Sequence, residues 1–335
     1  MGTLLHPAGG PSSGYARVVV RSSRRSLLIA GSALFLGGCA PAAAPSATVG
    51  DAAPSGRVTP LTDGPTSAPT TPATPTETAA ATAPAASTTP ASASTSAAAP
   101  TASELRSRCL TKYGSRTPQQ WGMAMTGILS RTSSKAAVLT LDACGGGTAG
   151  NGVDQELLDF LVARQIPATL FLNQRWIEAN PAAFGFIASH QQFEVGNHGT
   201  VHKPLSVNGH MAYTEHGTAS VGEAFDEVMG NHQYLTKRLG TAPRFFRSGT
   251  AHYDEVAVAI VRECGEVPVG FDVNADAGTT FSAAQIQQAM KSMRSGSIVI
   301  GHMNRPARST YEGLAAALPA AIARGVTFVK LSDAV

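Results

Sequence analysis

Short apolar runs alternate with amphipathic stretches over the C-terminal part of the chain, from residue 136 onward. The run AAVLTL at 136–141, for example, is almost wholly apolar and leads into a glycine-rich turn. Strands that are apolar on both faces are typical of a parallel sheet covered by helices. The pattern predicts seven strands, at 136–141, 168–173, 193–197, 245–247, 268–273, 297–301 and 326–331.

Six amphipathic stretches lie between or after these strands and predict helices. They are expected near 154–165, 175–190, 220–239, 254–263, 283–293 and 311–324. Regular alternation of strands and helices predicts an α/β fold with a parallel sheet. Seven such units favour a closed or nearly closed barrel over a doubly wound sheet.

Residues 40–103 consist almost entirely of Ala, Pro, Ser and Thr. Such a segment cannot bury enough apolar surface to offset the entropy of ordering it, so we expect a disordered linker. The low content of charged residues (14%) and aromatic residues (6%) in the whole chain comes largely from this N-terminal part. The folded unit is expected at 104–335, a length that suits one α/β domain.

The first 39 residues have the layout of an export signal. The basic segment RSSRR at 21–25, with a twin-arginine-like pair, precedes the apolar run LLIAGSALFLGG, which ends at Cys39. The sequence LGGC at 36–39 resembles the lipobox of bacterial lipoproteins. That resemblance implies a signal peptide over 1–39 and a lipid anchor on Cys39, which would hold the domain at the outer face of the cytoplasmic membrane or in the cell wall. A plain cleaved signal is the alternative.

The net charge, the length of the apolar runs and the cysteines bear on the binding partners, the membrane topology and the disulfides of the protein. A net charge of +3 without a basic run argues against nucleic-acid binding. No apolar run reaches the roughly 18 residues that span a bilayer. If Cys39 carries a lipid, Cys109, Cys144 and Cys264 remain, and outside the cell we expect one disulfide and one free thiol among them. We expect a monomer.

Polar residues follow the predicted strands at the ends where a parallel β/α barrel carries its site. Because the carboxyl ends of the strands meet at one rim, these side chains are expected to converge there. They are Asp142, His198, His202, Arg247, Asp276 and His302.

His198 and His202 are four residues apart in the segment GNHGTVHKPL. On a helical turn that spacing places both imidazoles on one face, within reach of one divalent ion. The alternative is a pair of surface histidines on a loop. The pattern is weak alone, but at a strand end beside other histidines and aspartates it indicates a metal site.

Asp142 and His302 are candidates for acid–base chemistry. A carboxylate can take a proton from a water that attacks a carbonyl, and a histidine can protonate the leaving nitrogen. Arg247 and Asp276 are expected behind them, where an ion pair would orient the base. An ordinary structural salt bridge is the alternative for these two.

These residues, in this order, resemble the polysaccharide deacetylase family, also called the NodB homology domain or carbohydrate esterase family 4. The first motif of that family corresponds to TLDACG at 140–145, and the second corresponds closely to EVGNH at 194–198 and onward to His202. The strand IVIGH at 298–302 matches the last motif, whereas the third and fourth are only partly present, as FRSGT at 246–250 and DVNADA at 272–277.

The resemblance implies a distorted (β/α)7 barrel of the NodB type. It also implies Asp142 as general base, His302 as general acid, and His198 and His202 as ligands of a divalent metal, commonly zinc. Backbone near 248–250, including that of Thr250, would help to bind the developing oxyanion.

One departure from the family concerns the metal. The position of its third ligand, an aspartate, is Ala143 here. Three outcomes stay open: Asp142 ligates the metal, Cys144 substitutes as a soft ligand, or the site is free of metal, as in some relatives that cleave C–N bonds. Of these, Asp142 near a two-histidine site is the expectation.

The function expected is an extracytoplasmic hydrolase of non-peptide C–N bonds that deacetylates a polysaccharide, with cell-wall peptidoglycan the most plausible substrate by location. Chitin-like oligosaccharides and O-acetylated xylan are other possible substrates. One alternative is hydrolysis of an amide in a small molecule. Another, motivated by Ala143, is a catalytically degenerate domain that binds a glycan without cleaving it.

Overall fold

The computed structural model of the chain describes residues 99–335. The predicted signal peptide over 1–39, the lipid attachment at Cys39 and nearly all of the linker over 40–103 lie outside the described residues. The first helix begins at Ala102, two residues before the expected start of the domain at 104, and Thr101 caps it. No helix in the described part of the chain has the length and apolar character needed to cross a bilayer.

Eleven strands form among the described residues, seven of them in one curled parallel sheet. They are β1 (Trp121–Gly122), β2 (Val138–Ala143), β3 (Ala168–Leu172), β4 (Phe193–Asn197), β5 (Met211–Ala212), β6 (Glu215–His216), β7 (Phe245–Phe246), β8 (Tyr253–Asp254), β9 (Val267–Pro268), β10 (Val273–Asn274) and β11 (Ile298–His302). The order in the large sheet is β10-β11-β2-β3-β4-β7-β9, and β1-β8 and β5-β6 form two small antiparallel pairs.

Nine α-helices accompany the strands in the described residues. They are α1 (Ala102–Tyr113), α2 (Gln155–Ala163), α3 (Gln174–Ala179), α4 (Pro181–Ser189), α5 (Val221–Leu239), α6 (Glu255–Glu263), α7 (Ala283–Met290), α8 (Thr310–Ala323) and α9 (Leu331–Ala334). The predicted α/β class and distorted barrel are therefore confirmed.

One segment, 267–274, closes the curled sheet. Its first half, β9, pairs with β7 at one edge, and its second half, β10, pairs with β11 at the other. Gly270 lies between the two halves, where a Cβ atom would come within 2.7 Å of Ser130 Oγ. The strand expected at 268–273 is thus two short strands at opposite edges, because the chain crosses between edges in the middle of it.

The strand expected at 326–331 does not form. Only one isolated bridge joins Ala137 to Phe328. The reason is that β2 already pairs with β11 on one side and β3 on the other, which leaves only its N-terminal approach free. The predicted helix over 175–190 is also divided, because Pro181 begins a second helix, α4, after α3 ends.

Successive side chains of β2 point alternately to the apolar core on one face of the sheet and to the site on the other. Leu139, Leu141 and Ala143 are fully buried in the apolar cluster that packs the sheet against α2, α3, α7 and α8. Thr140 and Asp142 point to the opposite, inner face, as the period of two in a strand requires. A second cluster packs α1 against α5 and α6.

The cysteine expectation is wrong for the described residues: Cys109, Cys144 and Cys264 are all free thiols. Cys109 and Cys264 lie in the apolar cluster around α1, where buried cysteine packs as a small apolar residue. Burial raises the pKa of both thiols. Cys144 lies in a different place, at the end of β2.

Candidate active site

A cavity of about 550 Å³ lies at the carboxyl ends of the central strands. Five of the residues singled out in the sequence line this cavity: Asp142, His198, His202, Thr250 and His302. Arg247 and Asp276 lie directly behind them and are fully buried. The predicted convergence on one rim is therefore what the fold produces.

Asp142 is held by Arg247 from inside the barrel. Arg247 Nη1 donates to Asp142 Oδ1 at 2.7 Å and to Thr140 Oγ1 at 2.8 Å, and its Nη2 donates to the Gly270 carbonyl oxygen at 2.9 Å. The guanidinium also lies over the ring of Phe171, 4.3 Å from its centroid. These contacts compensate the burial of both charges and leave Asp142 Oδ2 on the cavity side.

His198 presents one ring nitrogen to the cavity. Its Nδ1 lies 2.8 Å from the carbonyl oxygen of Arg247. Because a carbonyl only accepts, Nδ1 is the donor, and in the neutral ring Nε2 keeps its lone pair. That Nε2 lies 3.6 Å from Asp142 Oδ2 and 3.9 Å from Cys144 Sγ.

His202 reaches the site by a loop, and the helical turn expected between the two histidines does not form. Gly199 has a φ of 80° and His202 a φ of 62°, so the chain after β4 turns back through left-handed conformations. The imidazole rings of His198 and His202 are nevertheless 4.8 Å apart and nearly perpendicular. The pairing of the two histidines is therefore as expected, but by a different backbone conformation.

The loop that carries His202 is fastened by a buried carboxylate on α5. Glu227 is 3% exposed and accepts the N–H groups of Val201 at 3.0 Å and Lys203 at 3.1 Å. Burial raises the pKa of Glu227, against the lowering effect of these donors. On the cavity side, Glu215 Oε2 lies 3.4 Å from His202 Nδ1.

Cys144 lies beside the two histidines on the cavity side, whereas Ala143 faces the apolar cluster on the other side of the sheet. Its Sγ and one nitrogen from each of His198 and His202 lie within 4.8 Å of one another. Although burial raises the pKa of this thiol, the neighbouring His202, His198 and His302 outweigh it and hold the pKa well below its ordinary value. Burial likewise lowers the pKa of His202, but Cys144 and Glu215 raise it to about 10.

His302 is oriented by Asp276. Its Nδ1 lies 2.9 Å from Asp276 Oδ1, and its backbone N–H donates to Asp276 Oδ2 at 2.8 Å. Thr310 Oγ1 donates to the same carboxylate at 3.0 Å. Burial lowers the pKa of His302, but the Asp276 carboxylate outweighs it and raises that pKa well above its usual value. Asp276 and Arg247 thus serve different residues, one the histidine and the other Asp142.

The turn at 248–250 is only partly available to a substrate. The backbone N–H of Ser248 donates to the Tyr253 hydroxyl at 2.9 Å, so this group has a partner already. Thr250 lines the cavity in a left-handed conformation, with φ 63°. Of the backbone groups at 248–250 that the family resemblance points to, the Ser248 N–H is therefore already bonded within the protein.

The donor set fits a divalent metal. A thiolate and two imidazoles converge, and the carbonyl contact at His198 Nδ1 is the kind of outer interaction that fixes a ligating histidine. The sequence left the third ligand open. Cys144 forms a cluster with the two histidines, and Asp142 Oδ2 also lies near, 3.6 Å from His198 Nε2. The sequence does not point to Glu215 and Glu227, which hold His202 and its loop, because neither residue follows a predicted strand or belongs to a motif.

Comparison with known proteins agrees with this geometry. Residues 130–269 match the family model described as Polysaccharide deacetylase. No curated protein matches the chain.

Solved structures share the fold. A CE4 family pseudoenzyme from Bacillus anthracis is 20% identical with a TM-score of 0.51, over 63% of this chain and 69% of that one. A mutant of that pseudoenzyme with restored enzymatic activity is 21% identical, with a TM-score of 0.52 over 63% and 72%. A peptidoglycan N-acetylglucosamine deacetylase is 20% identical, with a TM-score of 0.52 over 62% and 91%. The matched family model shows that residues 130–269 carry a polysaccharide deacetylase domain, of the NodB or CE4 group, and the solved structures share its fold.

Proposed function

We propose that this protein is a metal-dependent hydrolase that removes acetyl groups from a polysaccharide, with N-acetylated peptidoglycan as the substrate. The observation that carries the proposal is the presence of two buried charge pairs, Asp142–Arg247 and His302–Asp276, around one Cys/His/His cluster in a single cavity. A hydrolase needs a base, an acid and a means of stabilising charge on the carbonyl, and the cavity holds a candidate for each.

Cys144, His198 and His202 would hold the metal. A thiolate with two imidazoles is a donor set that suits zinc, or cobalt in its place, and does not suit magnesium or calcium, which prefer oxygen ligands. A divalent ion bound there supplies Lewis-acid activation of the acetyl carbonyl and of water.

Asp142 is positioned to act as the general base. Arg247 fixes Oδ1, so Oδ2 is the oxygen that can accept the proton of the attacking water. The Arg247 guanidinium is itself held by Thr140 and by Gly270, so the donor that fixes the Asp142 carboxylate is rigid. Such preorganisation is what a base needs in order to act in a fixed geometry.

His302 is positioned to act as the general acid. Asp276 holds Nδ1, so Nε2 is the atom that can deliver a proton to the departing nitrogen. The backbone turn at Thr250 lies on the same cavity and is the candidate donor to the developing oxyanion.

Location supports peptidoglycan as the substrate. The lipobox at 36–39 and the linker up to residue 103 would tether the domain outside the bacterial cytoplasmic membrane through Cys39. One fold neighbour is a peptidoglycan N-acetylglucosamine deacetylase. A polymer in the cell wall is the N-acetylated glycan that a tethered enzyme meets there.

A glycan-binding domain without activity is the second candidate. Ala143 favours it, since this residue stands where the family has a metal-binding aspartate, and one fold neighbour is a CE4 family pseudoenzyme. The complete Asp142–Arg247 and His302–Asp276 pairs argue for the active form.

The test is release of acetate from N-acetylated peptidoglycan by the full chain, with added zinc or cobalt and with a chelator. We expect release that the chelator suppresses and that His302→Ala and Asp142→Asn each lower by about 100-fold or more. His190→Ala is the matched control, because His190 lies before β4, at the opposite end of the strands from the cavity.

Each other outcome points to a different function. Binding of glycan with no acetate under any metal would replace the proposal with the binding domain. Activity that is indifferent to chelator and to His198→Ala would indicate a metal-free hydrolase of another C–N bond.

A further inference from the structure

Four aromatic side chains form a continuous row beside the active-site cavity. His252 lies at its centre, with the ring of Tyr213 at 5.5 Å on one side and that of Trp121 at 5.7 Å on the other. His210 extends the row, with its ring edge-on to Trp121 at 5.2 Å. We call Trp121, His210, Tyr213 and His252 the aromatic wall. None of the four belongs to the catalytic groups described above.

Tyr213 is the end of the aromatic wall that enters the cavity. It lies in the tight turn between β5 and β6, lines the cavity and is 77% exposed. Its φ is 55°, a left-handed conformation that is uncommon for a bulky side chain. A positive φ is what a two-residue hairpin turn requires, and this turn places the Tyr213 ring at the edge of the cavity.

The same hairpin touches the catalytic centre. Glu215, two residues after Tyr213, contacts His202 Nδ1 at 3.4 Å. The position of the Tyr213 ring is therefore tied to that of a metal-ligand candidate. A molecule that lies against Tyr213 also lies beside the reacting groups.

The other end of the aromatic wall is fixed to the domain. Trp121 pairs through β1 with Asp254 in β8, and the preceding Gln119 and Gln120 donate their N–H groups to the Glu255 carboxylate at 2.6 and 2.9 Å. Rigid aromatic groups lose little conformational entropy on binding, which makes them efficient contact surfaces. The aromatic wall is thus a preformed surface continuous with the cavity.

We propose that the aromatic wall binds the sugar rings that adjoin the residue being deacetylated in an extended glycan. The proposal rests on the proposed function and adds to it a substrate-binding surface with its residues. The face of an aromatic ring is electronegative and attracts the weakly positive C–H groups on the flat face of a pyranose. Sugar hydroxyls would find polar partners beside the rings, in Glu215 and in the imidazoles of His210 and His252.

The composition of this surface favours a glycan over other polymers. None of the four residues of the aromatic wall is a lysine or an arginine, the side chains that most often pair with phosphates. The aromatic wall is also a row of amphipathic rings rather than a wide aliphatic patch, and exposed apolar surface that adjoins a catalytic cavity is typical of a ligand groove.

Trp121 provides a direct readout of binding. The chain has two tryptophans, and Trp176 is fully buried with its indole N–H bonded to the Gly152 carbonyl oxygen, so a ligand on the surface changes mainly the emission of Trp121. The experiment titrates the full chain with the tetramer of N-acetylglucosamine and follows this emission. Tyr213→Ala should weaken binding about tenfold, and Tyr213→Phe should keep most of it.

Ile322→Ala is the matched control, because Ile322 is an exposed apolar residue on α8 that does not line the cavity. Unchanged tetramer binding by Tyr213→Ala, or Trp121 emission that responds to a stem peptide and not to the tetramer, would overturn the proposal. The two proposals fail separately. Tetramer binding through Tyr213 without any release of acetate would refute the proposed hydrolase activity and support the role of the aromatic wall. Acetate release that Tyr213→Ala leaves intact would support the hydrolase and refute the role of the aromatic wall.

Discussion

Ala143 and Cys144 lie side by side at the end of β2 but face opposite ways. Ala143 is fully buried in the apolar cluster outside the sheet, together with Leu141. Cys144 lines the cavity with Asp142, two residues before it. Since a strand alternates its side chains, a donor at 144 reaches the inner face without any change in the backbone. The thiol at 144 is thereby placed beside His198 and His202 as a candidate third donor.

Cys144→Ala is expected to weaken metal binding by about 100-fold or more, because it removes one of three protein ligands. The measurement is titration of the full chain with cobalt. Charge transfer from sulfur to cobalt should give a near-ultraviolet absorption band in the wild type, and this band should vanish in the variant. Cys264→Ala is the control, since it also removes a thiol but in the apolar cluster beside α6. A cobalt band that survives Cys144→Ala would contradict the assignment.

Ala143→Asp provides a complementary test. Because residue 143 faces the apolar cluster, a carboxylate there is buried without a partner, so it should lower the free energy of unfolding and raise the affinity for zinc by less than about tenfold. A large gain, measured by competition with a chromogenic chelator, would instead mean that the natural site lacks its third ligand and that Cys144 does not supply it.

Among single residues, the sequence predicts the side chains that line the cavity better than the partners that hold them. Asp142, His198, His202 and His302 follow from strand ends and motif spacing, which are local in the chain. Their partners are not local. Arg247 and Asp276 could be expected behind the site, but which residue each one serves depends on the curl of the sheet.

The loop after β4 depends on α5 for its shape. Glu227 accepts the backbone N–H groups on both sides of His202, and a Cβ atom at Gly199 would come within 2.3 Å of its Oε1. A buried glutamate within an amphipathic helix carries no sequence signal that distinguishes it from an exposed one. Its role is visible only once α5 is packed against the loop.

Glu227→Gln is expected to weaken cobalt binding by about 10- to 100-fold while the protein stays folded, because an amide cannot accept both N–H groups through two oxygens. Glu223→Gln on the same helix is the matched control, since Glu223 is exposed and contacts the Lys203 side chain at 3.4 Å. The readouts are cobalt affinity and the unfolding midpoint. Equal losses of both in Glu227→Gln would assign this residue to stability alone.

The N-terminus of α2 gives a prediction on pH. Asp154 caps this helix by accepting the Leu157 N–H at 3.0 Å, and burial raises its pKa from 3.8 to about 6. Between these values the folded protein binds more protons than the unfolded chain. The contribution to stability is therefore fully present below about pH 4 and is lost as the pH rises through 6.

Asp154→Asn should remove this dependence and keep the cap, since asparagine caps helices as well as aspartate does. Relative to the wild type, the variant should gain about 1 to 3 kcal/mol in its free energy of unfolding between pH 4 and pH 7. Urea unfolding at both pH values measures the difference. Asp154→Ala, which loses the cap, should be less stable than Asp154→Asn at both. A pH-independent difference between wild type and Asp154→Asn would refute the raised pKa.

For the whole molecule, the large sheet has seven strands, the number that the sequence predicts, but two of the seven predicted strands are not the ones that form it. The apolar runs at 268–273 and 326–331 look alike in composition, yet the first splits to close both edges of the sheet and the second contributes only one bridge. Which segment pairs with the two edges of the sheet depends on how the whole sheet curls, and no local sequence pattern predicts this curl. The same closure brings Asp276 and His302 to the site, although both lie beyond the matched residues 130–269.

The helix α1 also lies outside the matched residues, but it is part of the same folded unit. Its Tyr113 is 4% exposed in the cluster with α5 and α6, and the hydroxyl donates to Glu263 Oε1 at 3.0 Å. If α1 folds together with the barrel, Tyr113→Ala should lower the free energy of unfolding by about 3 kcal/mol. Tyr113→Phe, which loses only the hydrogen bond, should cost about 1 kcal/mol.

Urea unfolding followed by far-ultraviolet circular dichroism and by the cobalt band should give one coincident transition in each protein. A cobalt transition that stays at its wild-type midpoint in Tyr113→Ala would mean that α1 unfolds separately from the site.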